Sequence, residues 1–247
     1  MFSPLAIGVY AGLGASASLG LAAGGCAYAA YWPASRLFGP SLIAPPRPGE
    51  LALTFDDGPN PVWTPRLLDL LARRDVRATF FLVGSYAQSH PTLVRQIAAA
   101  GHCIGNHAWS HLNLALASSR RIDEQIYRAT QTLEEITGLP IIFFRPPYGA
   151  RRPETLRIAS RLGLTTVLWN AMTSDWKNPS ADAISLKLQD IIDRLYRQGL
   201  AANIVLHDGS HSNPSADRAP SVAATAQLIA RYQPTHQFVT LNAWANE

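Results

Sequence analysis

After residue 50, short apolar runs alternate with longer amphipathic stretches, and this alternation restricts the folds open to the chain more than any other feature. It is typical of βα units, in which parallel strands are joined by crossover helices. The runs that predict strands are LALTF (51–55), TFFLV (79–83), HCIGN (102–106), IIFF (141–144), TTVLW (165–169), NIVLH (203–207) and QFVTL (237–241).

Two of the intervening segments predict outer-layer helices. Residues 119–138 and 180–199 carry apolar side chains at steps of three and four, which places one apolar stripe on each helix. Ser180 is expected to cap the second helix, and Gly138 and Gly199 stand where helices end. The expected buried positions are Ile122, Ile126, Ala129, Leu133 and Ile136, then Ile184, Leu188, Ile191 and Leu195.

Seven βα units in a chain of 247 residues, of which 47% are apolar, predict one α/β domain. The strands are expected to form either an open doubly wound sheet or a barrel with fewer than eight units. In both architectures, the loops at the carboxyl ends of the strands carry the functional residues. Chemically active side chains should therefore follow directly after the predicted strands.

The N-terminus differs from the rest of the chain because no charged side chain precedes Arg36. Residues 5–32 are uncharged and rich in Ala and Gly, and they exceed the about 20 residues that a membrane-spanning helix needs. Tyr31 and Trp32 close this stretch as interfacial aromatics do. A signal peptide cleaved near Ala29 is the alternative, but its apolar core is usually only ~7 to 15 residues long. We expect a retained transmembrane helix.

Three segments are expected along the chain: a membrane anchor or signal segment (1–35), a Pro-rich linker (36–49) and a catalytic-sized domain (50–247). Arg36 and Arg47 follow the predicted span, so the positive-inside rule weakly favours a cytoplasmic domain.

The net charge of +4 is modest and scattered, which argues against a nucleic-acid partner.

Residues with candidate chemical roles, most of them polar, follow five of the predicted strands. Because the carboxyl ends of parallel strands lie at one edge of a sheet, these side chains should converge. They are Asp56 and Asp57 after the first strand, His107 and His111 after the third, Arg145, Pro147 and Tyr148 after the fourth, Asp175 and Trp176 after the fifth, and His207 and Asp208 at the end of the sixth.

The aspartate pair and the histidine pair are the strongest local signals. Adjacent side chains on an extended segment leave opposite faces of the backbone, so Asp56 and Asp57 suit two separate tasks. His107 and His111 are four residues apart and can bind one metal, and with Asp57 they make the two-His, one-carboxylate set of catalytic zinc sites. Asp56 would then stay off the metal as a general base. Taken singly, solvated turn aspartates and an incidental histidine pair are the alternatives.

Arg145 and His207 are the expected partners of this centre. Arg145 is placed to pair with Asp56, although a surface arginine explains it equally well when it is considered alone. His207 ends an apolar strand, which suits a core histidine as well as a general acid that Asp175 could orient. Alternation along this strand points Val205 to the same side as His207, where it would line an apolar pocket.

Five short motifs occur in order: TFDDGP, HAWSH, RPPYG, SDW and LHDG. Together they resemble the motifs of the polysaccharide deacetylases that share the NodB homology domain, over roughly residues 50–242. The resemblance implies a distorted seven-stranded (β/α) barrel and metal-dependent hydrolysis of an N-acetyl, less often an O-acetyl, group on a carbohydrate. It also implies that Asp56, positioned by Arg145, is the catalytic base. His207, tuned by Asp175, would protonate the leaving amine.

The metal and substrate sites follow from the same resemblance. It implies a triad of Asp57, His107 and His111 that holds a divalent cation, expected to be Zn²⁺, with Co²⁺ or Ni²⁺ as alternatives. The residues that it implies around the substrate are Tyr148, whose backbone amide would stabilise an oxyanion, together with Pro147, Trp176, Val205 and Leu206.

Three positions depart from the family pattern. Ala108 stands where Ser or Thr is usual, so a hydroxyl that braces the metal loop is missing and the metal affinity could be lower. Met172 replaces an acidic residue and Val205 a commoner leucine, and both changes bear on the acceptor pocket.

We therefore expect a hydrolase that removes acetyl groups from an envelope or extracellular carbohydrate. Its expected partners are an N-acetylated glycan and, through the N-terminal segment, a membrane, with the domain outside the cytoplasm. One alternative is the same site acting on a formylated lipid-linked amino sugar or another small amide. A non-catalytic glycan-binding module is the second alternative.

Overall fold

Parallel strands alternate with helices through residues 24–245, the part of the chain that this computed structural model describes. The strands are β1 (Glu50–Gly58), β2 (Thr79–Leu82), β3 (Cys103–Asn106), β4 (Phe143–Phe144), β5 (Thr165–Thr166), β6 (Ala171–Met172), β7 (Ala202–His207) and β8 (Gln237–Val239). The helices labelled below are α1 (Trp63–Arg73), α2 (Gly84–Ser89), α3 (Pro91–Ala99), α4 (Ser119–Thr137), α5 (Pro153–Arg161), α6 (Ala181–Arg197) and α7 (Ala219–Tyr232).

The strand order distinguishes between the two expected architectures. Seven parallel strands pair in the order β5-β4-β3-β2-β1-β7-β6, while β8 pairs only with the start of β1. From β1 to β5 the strands follow one another in chain order in a single direction, as in a (β/α) barrel, whereas a doubly wound sheet reverses direction. Leu42, from the segment before β1, forms an isolated parallel bridge with Val167, one residue after the end strand β5. The fold is an α/β sheet consistent with a distorted (β/α) barrel.

The strand predictions are confirmed, with two strands reduced to two residues each and one strand missed. All seven predicted runs contain an observed strand, but the run at 141–144 contributes only Phe143–Phe144 and the run at 165–169 only Thr165–Thr166. The additional strand β6 follows directly and was missed because two residues carry no periodic signal. It is held by its parallel ladder to β7.

The two predicted helices form, but two of the expected buried positions, Ile136 in α4 and Ile191 in α6, are only partly buried. Ser180 accepts a hydrogen bond from the Ala183 backbone N–H at 3.3 Å and so caps α6 as expected. Gly138 ends α4 with a φ of 68°. In α6, Ile192 is buried with 1% exposure, while Ile191 only packs at the edge of the core.

Alternation along β1 and β7 separates two faces of the sheet. Leu53 and Phe55 on β1, with Leu206 on β7, join the large core between the strands and the helices. The opposite side chains point to the inside of the curved sheet, where an apolar cluster around Phe143 and Trp244 lies towards the amino ends of the strands. Polar groups on this inner face therefore lie above an apolar floor.

The segment before β1 lies against the domain. Pro45 accepts a hydrogen bond from the Ala201 N–H at 3.0 Å, which holds the predicted linker beside the sheet. Earlier, residues 24–31 are helical, and Arg151 bonds to the carbonyl oxygens of Trp32 and Ser35 at 2.8 Å each. No helix within residues 24–245 has the length and hydrophobicity to cross a membrane. Most of the predicted span lies outside the described residues.

Removal of the α6 cap is expected to cost stability without altering the site. Ser180→Ala should lower the free energy of unfolding by about 1 kcal/mol, because an N-terminal amide of the helix loses its acceptor. Denaturant titration measures this change. Ser160→Ala, at an exposed position of α5, is the matched control and should stay within about 0.5 kcal/mol of the parent. Equal effects of the two substitutions would show that the capping bond contributes nothing.

Candidate active site

Asp56 and Asp57 leave the end of β1 in different directions because their backbones differ. Asp56 is still paired in the sheet, opposite His207 on β7. Asp57 has a φ of 70°, in the left-handed region, which turns its side chain away from the strand direction. Gly209 lies against this turn, since a Cβ at that position would overlap the Asp57 carbonyl. Both aspartates are almost fully buried, with exposures of 4% and 5%.

Asp56 forms a buried ion pair with Arg145. The Arg145 Nη1 donates to Asp56 Oδ1 at 2.8 Å and to Thr54 Oγ1 at 2.7 Å. Its Nη2 donates to Asn203 Oδ1 at 3.2 Å, and the guanidinium carbon lies 4.0 Å from the centre of the Phe81 ring. Burial lowers the pKa of Arg145, and Asp56 opposes this shift. One carboxylate oxygen of Asp56 is thus fixed, while the other faces the cavity.

Asp57, His107 and His111 bring three ligand atoms within 4.8 Å of one another. His107 Nδ1 lies 2.8 Å from the Arg145 carbonyl, which can only accept, so Nδ1 carries the proton and Nε2 keeps its lone pair. This Nε2 faces Asp57 Oδ1 at 3.4 Å, and His111 Nε2 lies 3.0 Å from the same oxygen. The oxygen is buried without a hydrogen bond of acceptable geometry. Lone pairs that converge in this way are satisfied by a cation.

The chemistry of the three groups also fits a divalent metal. Burial alone would raise the pKa of Asp57, but the neighbouring imidazoles hold it well below its usual value, so the carboxylate is ionised. Burial lowers the pKa of His111, which favours the neutral imidazole that binds metals. One carboxylate and two imidazoles are the protein ligands of many catalytic zinc sites.

The loop that carries the two histidines is braced by side chains from α4 and β3. Asn106 accepts a hydrogen bond from the Ala108 backbone N–H at 2.6 Å and donates to Thr130 Oγ1 at 2.8 Å. Gln125 accepts from the Ser110 N–H at 2.9 Å. Ala108 itself has a φ of 63° and is fully buried. These amide side chains position the loop without a hydroxyl at residue 108.

His207 is held by Asp175 at the end of β7. Its Nδ1 lies 2.8 Å from Asp175 Oδ1, and its backbone N–H donates to Oδ2 at the same distance. Ser221 also donates to Oδ2, at 2.8 Å. Burial would lower the pKa of His207, but Asp175 and, to a smaller extent, the charges of Asp57 and Asp56 outweigh this effect and raise the pKa to about 9. The imidazole is therefore protonated at neutral pH.

A cavity of about 380 Å³ joins these groups. Asp56, His207 and the three ligand residues line it, and so do the predicted substrate residues Tyr148, Trp176 and Val205. Trp176 lies with its ring centre 5.4 Å from that of His207. Two predicted substrate residues do not line the cavity: Pro147 is buried beside it, and Leu206 faces the helix layer.

Two residues of the site, His211 and Arg218, were not predicted individually from the sequence. His211 stacks on His111 with ring centres 4.4 Å apart, and Tyr148 Oη lies 3.4 Å from its Nε2. Arg218 also lines the cavity. Both come from the loop between β7 and α7, which has no periodicity. The only signal available was its content of polar residues directly after a strand that ends in His207.

Asp208 packs against the turn that follows β1. It is fully buried, accepts a hydrogen bond from the Thr64 hydroxyl and lies against Gly58. Burial raises the pKa of Asp208 to about 7. It does not line the cavity, so its position indicates a structural part in holding the turn after β1.

Comparisons with known proteins agree with this geometry. A family profile described as polysaccharide deacetylase matches residues 44–167. A peptidoglycan-N-acetylglucosamine deacetylase of Bacillus cereus is 36% identical over 202 residues, which cover 81% of this chain and 70% of that protein. A chitooligosaccharide deacetylase of Sinorhizobium fredii is 37% identical over 183 residues, which cover 72% and 82%. A crystal structure of a peptidoglycan N-acetylglucosamine deacetylase superposes with a TM-score of 0.72 at 34% identity and covers 82% of this chain and 91% of that one.

The close approach of Gly209 to Asp57 predicts a local effect of substitution. Gly209→Ala should weaken Zn²⁺ binding about 10- to 100-fold, because the added methyl group displaces the turn that carries Asp57. Titration of the apoprotein with Zn²⁺ measures this loss. Gly25→Ala, in the helix before β1, is the control, since a Cβ there meets no atom within 4 Å and its φ is not in the left-handed region. Gly25→Ala should bind Zn²⁺ as the parent does, and an equal loss in both variants would contradict the steric explanation.

Proposed function

The chain belongs to the polysaccharide deacetylase family and is a carbohydrate deacetylase, and from this premise we propose that it hydrolyses the acetamido group of a cell-envelope glycan with the help of a divalent cation, Zn²⁺. The observation that carries the proposal is the meeting of a paired carboxylate, a carboxylate–histidine pair and a metal-ligating triad on one cavity. The relatives named above act on peptidoglycan N-acetylglucosamine and on chitooligosaccharides. We also propose that the working domain lies outside the cytoplasm, where a glycan of this kind would be reached.

Asp56 serves as the general base in this proposal. Arg145 holds its Oδ1, which leaves Oδ2 on the cavity side to take a proton from the attacking water. The water oxygen then bonds to the carbonyl carbon of the acetamido group. Because Arg145 is completely buried and anchored to Thr54 and Asn203, the base cannot swing away from the reacting atoms.

His207 serves as the general acid. Its Nδ1 proton is bonded to Asp175, so the proton on Nε2 is the one available to the cavity. As the bond between carbon and nitrogen breaks, this proton passes to the amine nitrogen and acetate leaves. Asp175 favours the charged imidazolium, which supplies a proton donor at neutral pH.

The remaining groups bind and polarise the acetyl group. A divalent cation held by Asp57, His107 and His111 would supply Lewis acidity towards the carbonyl oxygen. The Tyr148 backbone amide is assigned to the oxyanion that develops there. Trp176 and Val205 provide the apolar wall against which the methyl group packs.

Loss of the base is the first test of this mechanism. Asp56→Asn should lower kcat for acetate release at least about 100-fold, because the amide cannot accept the proton of water. Its Zn²⁺ content should stay that of the parent, since Asp56 is not among the clustered ligands. Acetate release from chitin oligomers and peptidoglycan fragments, with metal analysis of the same samples, measures both.

Asp69→Asn, on the exposed face of α1, is the matched control and should retain parental turnover. Normal turnover by Asp56→Asn would exclude it as the base. Release of formate in place of acetate would show that the site acts on another amide.

The pH profile tests the acid. Because His207 must be protonated, activity should fall as the pH rises through its pKa, which lies at about 9 chiefly because of Asp175. Asp175→Asn removes the charge that raises this pKa, so the alkaline limb of kcat/KM should move to lower pH by about 1 to 3 units. Thermal melting establishes that the variant is folded. An unshifted alkaline limb in a folded Asp175→Asn protein would contradict this assignment, and Asp190→Asn on α6 is the exposed control.

A further inference from the structure

Arg218, at the start of α7, lies on the wall of the catalytic cavity and is only 5% exposed. Its Nε donates to the Gly209 carbonyl at 2.7 Å, and its Nη1 lies 3.5 Å from the Trp176 carbonyl and 3.4 Å from that of Asp217. All of these acceptors are uncharged. Within residues 24–245, no carboxylate forms an ion pair with this guanidinium, and its Nη2 makes no hydrogen bond.

The other charges of the cavity are compensated. Asp56 pairs with Arg145 at 2.8 Å, and Asp175 pairs with His207 at the same distance. Asp57 faces imidazoles and, in the proposed mechanism, a divalent cation. Arg218 therefore adds a positive charge that none of these groups neutralises. A buried cation is costly unless an anion or hydrogen bonds compensate it, and the three bonds of Arg218 to carbonyl oxygens leave its Nη2 without a bond to residues 24–245. An anionic ligand at Nη2 would therefore stabilise this guanidinium further.

Arg151 shows what a purely structural arginine looks like in this fold. It is 1% exposed and donates to the carbonyl oxygens of Gly149, Trp32 and Ser35. Arg151 does not line the catalytic cavity, and two of its carbonyl acceptors belong to the segment before β1. Bonds to carbonyl oxygens thus account for the position of Arg151. Arg218 also bonds to carbonyl oxygens, but it lies on the cavity wall and its Nη2 has no hydrogen bond to residues 24–245.

The position of Arg218 specifies where an anion would lie on the substrate. Its acceptors Gly209 and Trp176 flank His207: Gly209 follows it by two residues in the chain, and the Trp176 ring contacts the imidazole. His207 protonates the amine nitrogen in the proposed mechanism, so the sugar carbon that bears this nitrogen lies at the same wall. Substituents on the adjoining carbons are the ones within reach of Arg218.

We propose that Arg218 makes the enzyme selective for amino sugars that carry an anionic group, a carboxylate or a phosphate, on a carbon next to the acetamido-bearing carbon. This inference rests on the proposed function, because it uses the same cavity and the same orientation of the substrate. Arginine suits the task because its planar fork can give two parallel hydrogen bonds to a carboxylate or phosphate. Arg218 is thus a specificity-determining residue, and it takes no part in proton transfer.

Matched substrates test the proposal. N-acetylmuramic acid bears a carboxylate on the substituent of one adjoining carbon, and its methyl ester is the neutral counterpart; N-acetylglucosamine 1-phosphate bears a phosphate on the other adjoining carbon. The parent should show a kcat/KM for the carboxylate or the phosphate about 10-fold or more above that for the ester, as charge-assisted hydrogen bonds provide. The difference should lie mainly in KM and shrink as salt is added.

Two variants separate charge from loop support. Arg218→Gln should bring the ratio of kcat/KM values for anionic and neutral sugars close to one, and Arg218→Lys should restore part of it. Arg231→Gln, an exposed arginine near the end of the same helix, is the matched control and should keep the parental ratio. A preference for only one of the two anions identifies which substituent the enzyme uses.

Two results would overturn the proposal. One is a parent enzyme that does not distinguish the anionic sugars from the ester. The other is an Arg218→Gln protein in which kcat/KM falls by the same factor for both, which would leave Arg218 as a support for the Gly209 and Trp176 loops alone.

If no sugar releases acetate, the proposed function fails, and calorimetric titration with the same sugars then decides the question separately. Tighter binding of the anionic sugars by the parent, lost in Arg218→Gln, would still support an anion site. Equal binding of the anionic sugars and the ester by the parent would refute it.

Discussion

Burial of three carboxylates around one cavity is the constraint on which the arrangement of the site depends. Asp56, Asp57 and Asp175 are each 5% exposed or less, and an uncompensated buried carboxylate costs several kcal/mol. Each is compensated by a group from another part of the chain. Arg145, at the end of β4, pairs with Asp56, and His207, at the end of β7, pairs with Asp175. The histidines after β3 face Asp57. The catalytic groups and the stabilising ion pairs are therefore the same residues.

Layering inside the curved sheet explains how these charges are tolerated. Phe143 and Trp244 fill the interior towards the amino ends of the strands, and Thr54, Asn203 and Arg145 form a polar layer above them. The carboxylates lie above this layer, at the carboxyl ends. Since hydrogen bonds fix the polar layer on several sides, water is excluded from below, and proton transfer is confined to the open side of the cavity.

The sequence predicted those parts of the site that depend on strand ends. A parallel sheet brings the carboxyl ends of its strands together, so residues such as Asp57 and His207 could be placed at one edge from the order of apolar runs alone. Ser180 could be identified as a cap for a different reason, because capping depends only on residues next to one another in the chain. Local periodicity failed at Ile192, which is buried in place of its neighbour Ile191, since the tilt of a helix on a sheet is not encoded in the spacing of its apolar residues.

The parts that the sequence did not predict arise from contacts between distant segments. His211 stacks on His111 across 100 residues of chain, and the segment around Pro45 is held to Ala201 by a backbone bond. The polar composition of the loop after β7 marks a candidate segment, but nothing in the sequence pairs either contact with its distant partner. Leu206 was assigned to the substrate through resemblance to a motif, although alternation along β7 turns it towards the helices. Resemblance identifies a segment, while the strand period determines which of its side chains reach the cavity.

This difference has a consequence for how specificity is built. The groups that move protons belong to strand ends, where the sheet fixes their relative positions, and a substitution there disrupts an ion pair as well as the chemistry. The loop between β7 and α7 is not constrained in this way, yet Gly209, His211 and Arg218 bring it against the metal ligands and the acid. A loop outside the sheet that passes beside the reacting atoms is where selectivity for the remainder of the sugar can change with less effect on the reaction itself. The positive charge at Arg218 therefore serves to select the substrate and is not required for hydrolysis of the amide.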